Sequence, residues 1–227
     1  MLTLPHIPSA DISRFQSILL GWFTDYGQIF PWRQPGLTQY ELVMAEALLQ
    51  RTRADIVAQH YEPFLRAFPD WQALDAADAS SLEPHIYSLG MAAQRGPKLL
   101  ALAHEIVRRQ GVLPTDRQQL ATIPFFGYYL LNAIELLVFH RPAPLLDVNM
   151  ARLLERYFGF RRRPELRRDP DLQQLAYRVV DHPASKFLSW SILDFATLMC
   201  RGHRPLCPEC PINRDCCYFE LELAFLQ

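Results

Sequence analysis

Near its C-terminus the chain reads Cys200-Arg-Gly-His-Arg-Pro-Leu-Cys207-Pro-Glu-Cys210-Pro-Ile-Asn-Arg-Asp-Cys216. Six, two and five residues separate the four cysteines, so four thiols can converge on one inorganic centre without a long loop closure. Cys217, the fifth cysteine, follows directly. The start, Met1 to Ala10, has neither the basic end nor the apolar run of a secretory signal. No stretch approaches the roughly 18 consecutive apolar residues of a membrane span. An intracellular protein is expected, and there clustered cysteines bind metal more often than they form disulfides. Zinc sites usually draw on two separated Cys or His pairs. Here one close pair is flanked by single cysteines, a set that also suits a cubane iron–sulfur cluster. Spacing alone leaves zinc and cluster both open.

Working back from the cysteines, apolar residues recur at helical spacing and no alternating strand pattern dominates. Ile12 to Tyr26 is a first helix with Asp11 as its N-cap, and Phe30 to Gly36 a loop. Tyr40 to Thr52, Asp55 to Phe68, Trp71 to Leu82 and Lys98 to Gln110 read as helices, the last stopped by Gly111. Further helices are expected near Val148 to Phe158, Leu172 to Val180 and Ser185 to Met199. With 227 residues, 50% hydrophobic and only nine glycines, the chain is expected to be all-α with a substantial core. The net charge of −1 weighs mildly against a nucleic-acid partner, although a local basic face can coexist with acidic surface. Lys98 and Lys186 are the only lysines, so arginine carries the positive charge.

Between these elements, Leu120 to Leu137 reads Leu-Ala-Thr-Ile-Pro-Phe-Phe-Gly-Tyr-Tyr-Leu-Leu-Asn-Ala-Ile-Glu-Leu-Leu. A short helix, a turn closed by Gly127 and a second apolar helix make an αα-hairpin. Such a hairpin can aim backbone N–H groups and a helix N-terminus at a phosphate, or simply pack in a core. Leu145-Leu146-Asp147-Val148-Asn149 follows, with Asp147 placed to cap the next helix.

The cysteine spacing, the hairpin and the downstream Asp together resemble the endonuclease III superfamily of DNA glycosylases with a 4Fe–4S loop. Phe30-Pro31-Trp32-Arg33, Ala45-Glu46-Ala47-Leu48-Leu49-Gln50-Arg51-Thr52 and Gly90-Met91-Ala92-Ala93-Gln94-Arg95 resemble its thymine and adenine mismatch branch. The resemblance spans about Trp22 to Cys216. It implies a two-lobed helix-hairpin-helix glycosylase fold, with a helical barrel over 30–142 and a cluster lobe of 1–29 plus 143–227. One departure stands out: the family's first hairpin glycine is Phe125 here, a residue that avoids positive φ.

The resemblance also implies roles. Asp147 matches the carboxylate that stabilises positive charge on the sugar as the glycosidic bond breaks. Tyr129 stands where bifunctional members carry a Schiff-base lysine, which implies a monofunctional enzyme using water. Glu46 matches the catalytic or base-recognising glutamate. If buried, it could donate a proton or hydrogen bond to the departing base. Gln50 and Met91 match positions that fill the gap left by a flipped base. Arg53, Arg95, Gly127, Arg201 and Arg204 are expected at the DNA backbone, with His203, Arg214 and the clusters Arg161-Arg162-Arg163 and Arg167-Arg168 as further contacts. Cys200, Cys207, Cys210 and Cys216 would hold a 4Fe–4S cluster. The implied partner is double-stranded DNA with a mismatched or damaged base, met by a monomer in a bacterial or archaeal cytoplasm. Thymine or uracil opposite guanine leads. Adenine or another damaged base, and a DNA-structure-binding protein with little catalysis, remain alternatives.

Overall fold

The computed structural model describes residues 7–159 and 169–225, and side chains through residue 221. Among these residues every regular element is helical. The helices are α1 Ser9–Tyr26, α2 Gln39–Leu49, α3 Ala54–Ala67, α4 Trp71–Asp75, α5 Ala79–Ile86, α6 Ala92–Arg108, α7 Arg117–Leu120, α8 Tyr128–Leu137, α9 Val148–Phe158, α10 Pro170–Val180, α11 Ser185–Leu198 and α12 Cys217–Phe225. They divide into two units: Met1–Gln28 with His140–Gln227, and Ile29–Phe139. The basic stretches Arg161 to Arg163 and Arg167 to Arg168 lie outside the described residues.

Several boundaries depart from the sequence reading, each for a local reason. Helix α1 begins at Ser9 after Pro8, and Asp11 lies inside its first turn. The stretch Trp71 to Leu82 is two helices. Asp70 caps the first through Ala73 N at 2.8 Å. Asp78 caps the second, its carboxylate accepting from Ser81 N while Ser81 Oγ accepts from Asp78 N. That reciprocal box forces a fresh start where apolar spacing alone runs on. Helix α12 follows the cysteine segment, where the sequence reading ended its helices.

In the unit of Ile29–Phe139, α4 and α5 pack on α6, and α2 packs on α3 and α8. The Phe30-Pro31-Trp32-Arg33 motif becomes a tight turn: Phe30 and Trp32 stack at 4.8 Å, and Trp32 meets Tyr61 edge-on at 5.6 Å. The motif is therefore part of the core. In the other unit, α1 and α9 pack against α11. Helix α9 buries Met150, Ala151, Leu153, Leu154, Tyr157 and Phe158. Phe15 of α1 lies against Tyr157 at 4.7 Å and Phe158 at 5.4 Å. Each large apolar side chain buried this way contributes about 1.5–3 kcal/mol. The chain leaving α1 is held by buried Asp194, which accepts from Gln28 N at 2.8 Å. No helix among the described residues is long and apolar enough to cross a membrane.

Candidate active site and cysteine centre

Asp147 is the N-cap of α9. Its Oδ1 accepts from Asn149 N and Met150 N, both at 2.8 Å, and its Oδ2 accepts from Asn149 Nδ2 at 2.7 Å. Burial pushes the carboxyl above its ordinary value, and these bonds together with the nearby Arg152 guanidinium oppose that shift. Desolvation outweighs the opposing hydrogen bonds of the helix terminus. The N-cap and catalytic readings of Asp147 are compatible, because the cap fixes the direction in which the carboxylate faces.

The same helix reaches the cysteine segment. Arg152 donates through Nη2 to Asn149 Oδ1 at 3.0 Å and to Ala196 O at 2.7 Å, and through Nε to Cys200 O at 3.0 Å. One turn on, Arg156 donates to Arg201 O at 2.7 Å and lies 4.6 Å from the Tyr218 ring centroid. Sequence reasoning missed Arg152 and Arg156. Their signal was weak: two arginines four apart on an amphipathic helix ordinarily mark a solvated face.

Cys200, Cys207, Cys210 and Cys216 line one cavity together with Leu153, Phe195 and Ile212. None of the four is in a disulfide, and all are part-buried. Among the described residues no three His, Cys, Asp or Glu side chains are grouped to hold a metal ion. Four thiols lining one cavity is a donor set that suits an iron–sulfur cluster as well as a single zinc. Burial pushes the Cys210 thiol up to about 12, with the neighbouring Cys216, Cys200 and Cys207 adding to the rise. Four thiolates there need compensating cationic charge, which bound iron would supply. Cys217 packs elsewhere, its Sγ 2.9 Å from where a Cβ on Gly159 would stand. Arg201 and Arg204 are exposed on the same segment, and Arg204 takes a left-handed φ of 50°.

In the unit of Ile29–Phe139, Glu46 is 4% exposed near the end of α2. Burial raises the Tyr61 hydroxyl well above its ordinary range, and the negative charges of Glu41 and Glu46 add to that rise. Tyr129 is the second residue of α8 and part-exposed. Gly127 is its N-cap and has no side-chain cap; a Cβ there would meet open space. The helix start is thus accessible to an anion. Phe125 takes φ 75°, so this Phe adopts the left-handed conformation despite its ordinary avoidance of it. Its ring centroid lies 5.8 Å from Lys98 Nζ.

Arg53 is exposed and paired with Asp55 through Nε at 3.0 Å and Nη2 at 2.8 Å. Arg95, expected at the DNA backbone, is 5% exposed and bonded to protein carbonyls, so its guanidinium is not offered to a phosphate. Arg51 (φ 57°) and Met91 (φ 56°) are left-handed as well, and both are exposed. Such backbone costs about 1–3 kcal/mol per residue and gathers at functional sites.

Helical architecture, the hairpin and the capped Asp define a base-excision repair protein, and comparison with known proteins agrees. Residues 44–175 match the model of the HhH-GPD superfamily base excision DNA repair protein, and the chain belongs to that superfamily. It is 35% identical over 208 residues to the thymine-DNA glycosylase of Aeropyrum pernix, covering 88% of this chain and 92% of that one. Against the thymine/uracil-DNA glycosylase of Pyrobaculum aerophilum it is 33% identical, covering 92% and 93%. The adenine DNA glycosylase of Mycobacterium tuberculosis is more distant, at 26% identity over 92% of this chain and 71% of its own. Among solved structures, a thermostable thymine-DNA glycosylase superposes with a TM-score of 0.84 at 25% identity, covering 93% of this chain and 98% of that one. A trapped endonuclease III–DNA covalent intermediate shares the fold, with a TM-score of 0.81 at 18% identity, covering 96% and 99%.

Proposed function

We propose that the protein is a monofunctional DNA glycosylase that extrudes thymine or uracil opposite guanine and hydrolyses its N-glycosidic bond. The observation that carries this reading is Asp147, a carboxylate fixed by three hydrogen bonds at the start of α9. As the C1′–N bond breaks, positive charge grows on the sugar and the carboxylate stabilises it. Water adds its oxygen to C1′ and releases a proton, and the departing base gains one. Glu46 is the donor proposed for the base. Tyr129 at the second position of α8 has no amine for a Schiff base, and the two lysines lie in α6 and α11. Identities of 33–35% to thymine and thymine/uracil glycosylases favour these bases over adenine.

Cys200, Cys207, Cys210 and Cys216 are proposed to hold a 4Fe–4S cluster, whose iron–sulfur bonds would order the segment. Gly127 with the α8 N-terminus, Arg53, Arg201 and Arg204 are proposed to meet the phosphates, Gln50 and Met91 to fill the vacated stack, and the protein to act as a monomer on mismatched duplex. The test is release of free base from duplexes carrying T·G, U·G or A opposite 8-oxoguanine, with Asp147→Asn as control and borohydride present. Thymine and uracil release without a trapped adduct is expected. A covalent adduct overturns the monofunctional assignment, and DNA binding with no base released overturns the enzyme reading in favour of a structure-binding protein.

A further inference from the structure

Two exposed left-handed turns flank one buried guanidinium. The first follows α2 and holds Gln50, Arg51 (φ 57°) and Thr52; the second precedes α6 and holds Gly90 (φ 75°) and Met91 (φ 56°). Arg95 joins them. Its Nη1 donates to Ala47 O and Leu48 O, both at 2.9 Å, meeting carbonyls that the end of α2 leaves without helical donors. Its Nη2 donates to Gln50 O at 2.9 Å and Thr52 Oγ1 at 2.7 Å, and Nε points to Gly90 O at 3.5 Å. Thr52 Oγ1 in turn donates to Leu89 O at 2.8 Å, and Arg95 N donates to Met91 O at 2.8 Å. A guanidinium carries five N–H donors in a fixed fork, and here they meet acceptors at the end of α2 and on both turns.

We infer that Arg95 is a positioning residue that sets the spacing between the turns bearing Gln50 and Met91, so that both enter the base stack together when a nucleotide is extruded. The inference rests on the glycosylase reading above and deepens it. Arginine suits this task where lysine does not. A compact ammonium with three donors cannot serve four carbonyls and a hydroxyl at once. Neither left-handed turn is held by glycine alone, so their shape depends on what ties them down. The tie lies inside the protein, while Met91 is exposed and Gln50 part-exposed.

The test separates extrusion from bond breaking, using the full chain. Single-turnover excision is compared on thymine paired opposite guanine and on thymine opposite an abasic gap, where unstacking costs least. Arg95→Lys should slow the paired substrate about tenfold, as expected for buried acceptors left unmet, and the gapped one less than about threefold. Thr52→Val, which removes the shared hydroxyl, should act in the same direction and serves if Arg95→Lys does not fold. A 2-aminopurine beside the target reads opening of the stack without chemistry. Its fluorescence at saturating protein should fall in both variants. Equal slowing on both substrates, or unchanged fluorescence, overturns the inference. A wild type that raises the fluorescence but excises nothing leaves the wedge intact and removes the glycosylase reading instead.

Discussion

Asp147 and Arg152 are linked through a single side chain: Asn149 donates to Asp147 Oδ2 at 2.7 Å while its own Oδ1 accepts from Arg152 at 3.0 Å. Since Arg152 also donates to Cys200 O, the carboxylate is tied to the cysteine segment by hydrogen bonds that run along one helix. Asn149→Ala keeps both backbone bonds to Asp147 Oδ1 and removes only this lateral brace. We expect single-turnover excision to fall about tenfold, the scale of one lost hydrogen bond to a charged group, with duplex affinity little changed. An unchanged rate in stopped single-turnover assays would show that the backbone cap alone orients the carboxylate.

The raised Asp147 carboxyl fixes the sign of two pH effects. The folded state holds this proton more tightly than the unfolded chain, whose Asp titrates near about 3.9. Stability from this group therefore declines as pH rises from about 3.9 to the raised folded value, then stays level. Asp147→Asn has no such titration and keeps the cap, so its melting temperature should gain on the wild type across that window. Wild-type excision should also lose rate on acidification at a pH above the ordinary Asp range. Melting curves that separate in the opposite direction, or an acid limb at or below about 3.9, would contradict the shift.

Phe125 at φ 75° gives a prediction that reverses the usual order of substitutions. Phe125→Ala keeps the left-handed cost, about 1–2 kcal/mol for a residue with a Cβ, and loses the ring. Phe125→Gly loses the ring but also the cost. The glycine variant should therefore be the more stable of the two by about 1 kcal/mol in denaturant titration, after its larger unfolded-state entropy is counted. It should also bind undamaged duplex more tightly, because no side chain then stands at the turn. Equal stability of the two variants would mean that the turn relaxes out of the left-handed region.

Two of the five cysteines should behave differently. Cys210→Ser removes one of the four sulfurs around the cavity and should abolish iron–sulfur absorption and lower the melting temperature. Cys217→Ser should keep full iron content, since Cys217 packs on Gly159. Iron loss in the Cys217 variant alone would reassign the ligand set.

Legibility from sequence followed the range of the interaction involved. Helix α9 was readable to the residue because a capping Asp and a left-handed Gly159 (φ 69°) punctuate it locally. For Glu46 the apolar neighbours on α2 left burial and a surface position about equally open, and the structure buries it. The break between α4 and α5 was not, because Asp78 and Ser81 compete with a run of apolar spacing that continues through them. Arg95 was misread as a phosphate contact for a different reason. Its acceptors come from residues 43 to 48 positions away in the chain as well as from its own turn, and no local pattern announces that a charged side chain will be enclosed by carbonyls. The Asn149–Arg152 brace was a three-residue spacing that looks the same whether or not a loop lies above it.

Helix α9 is bounded by Asp147 at one end and by Gly159 at the other, where an added Cβ would strike Cys217 Sγ at 2.9 Å. A single residue inserted between these bounds would turn everything beyond it by about 100° around the axis. Arg152 and Arg156 would then swing away from Cys200 and Arg201 while Asp147 stayed in place. The count of residues in this helix is thus a specification in its own right, so substitutions along its exposed face should drift freely while insertions and deletions should be lethal to activity.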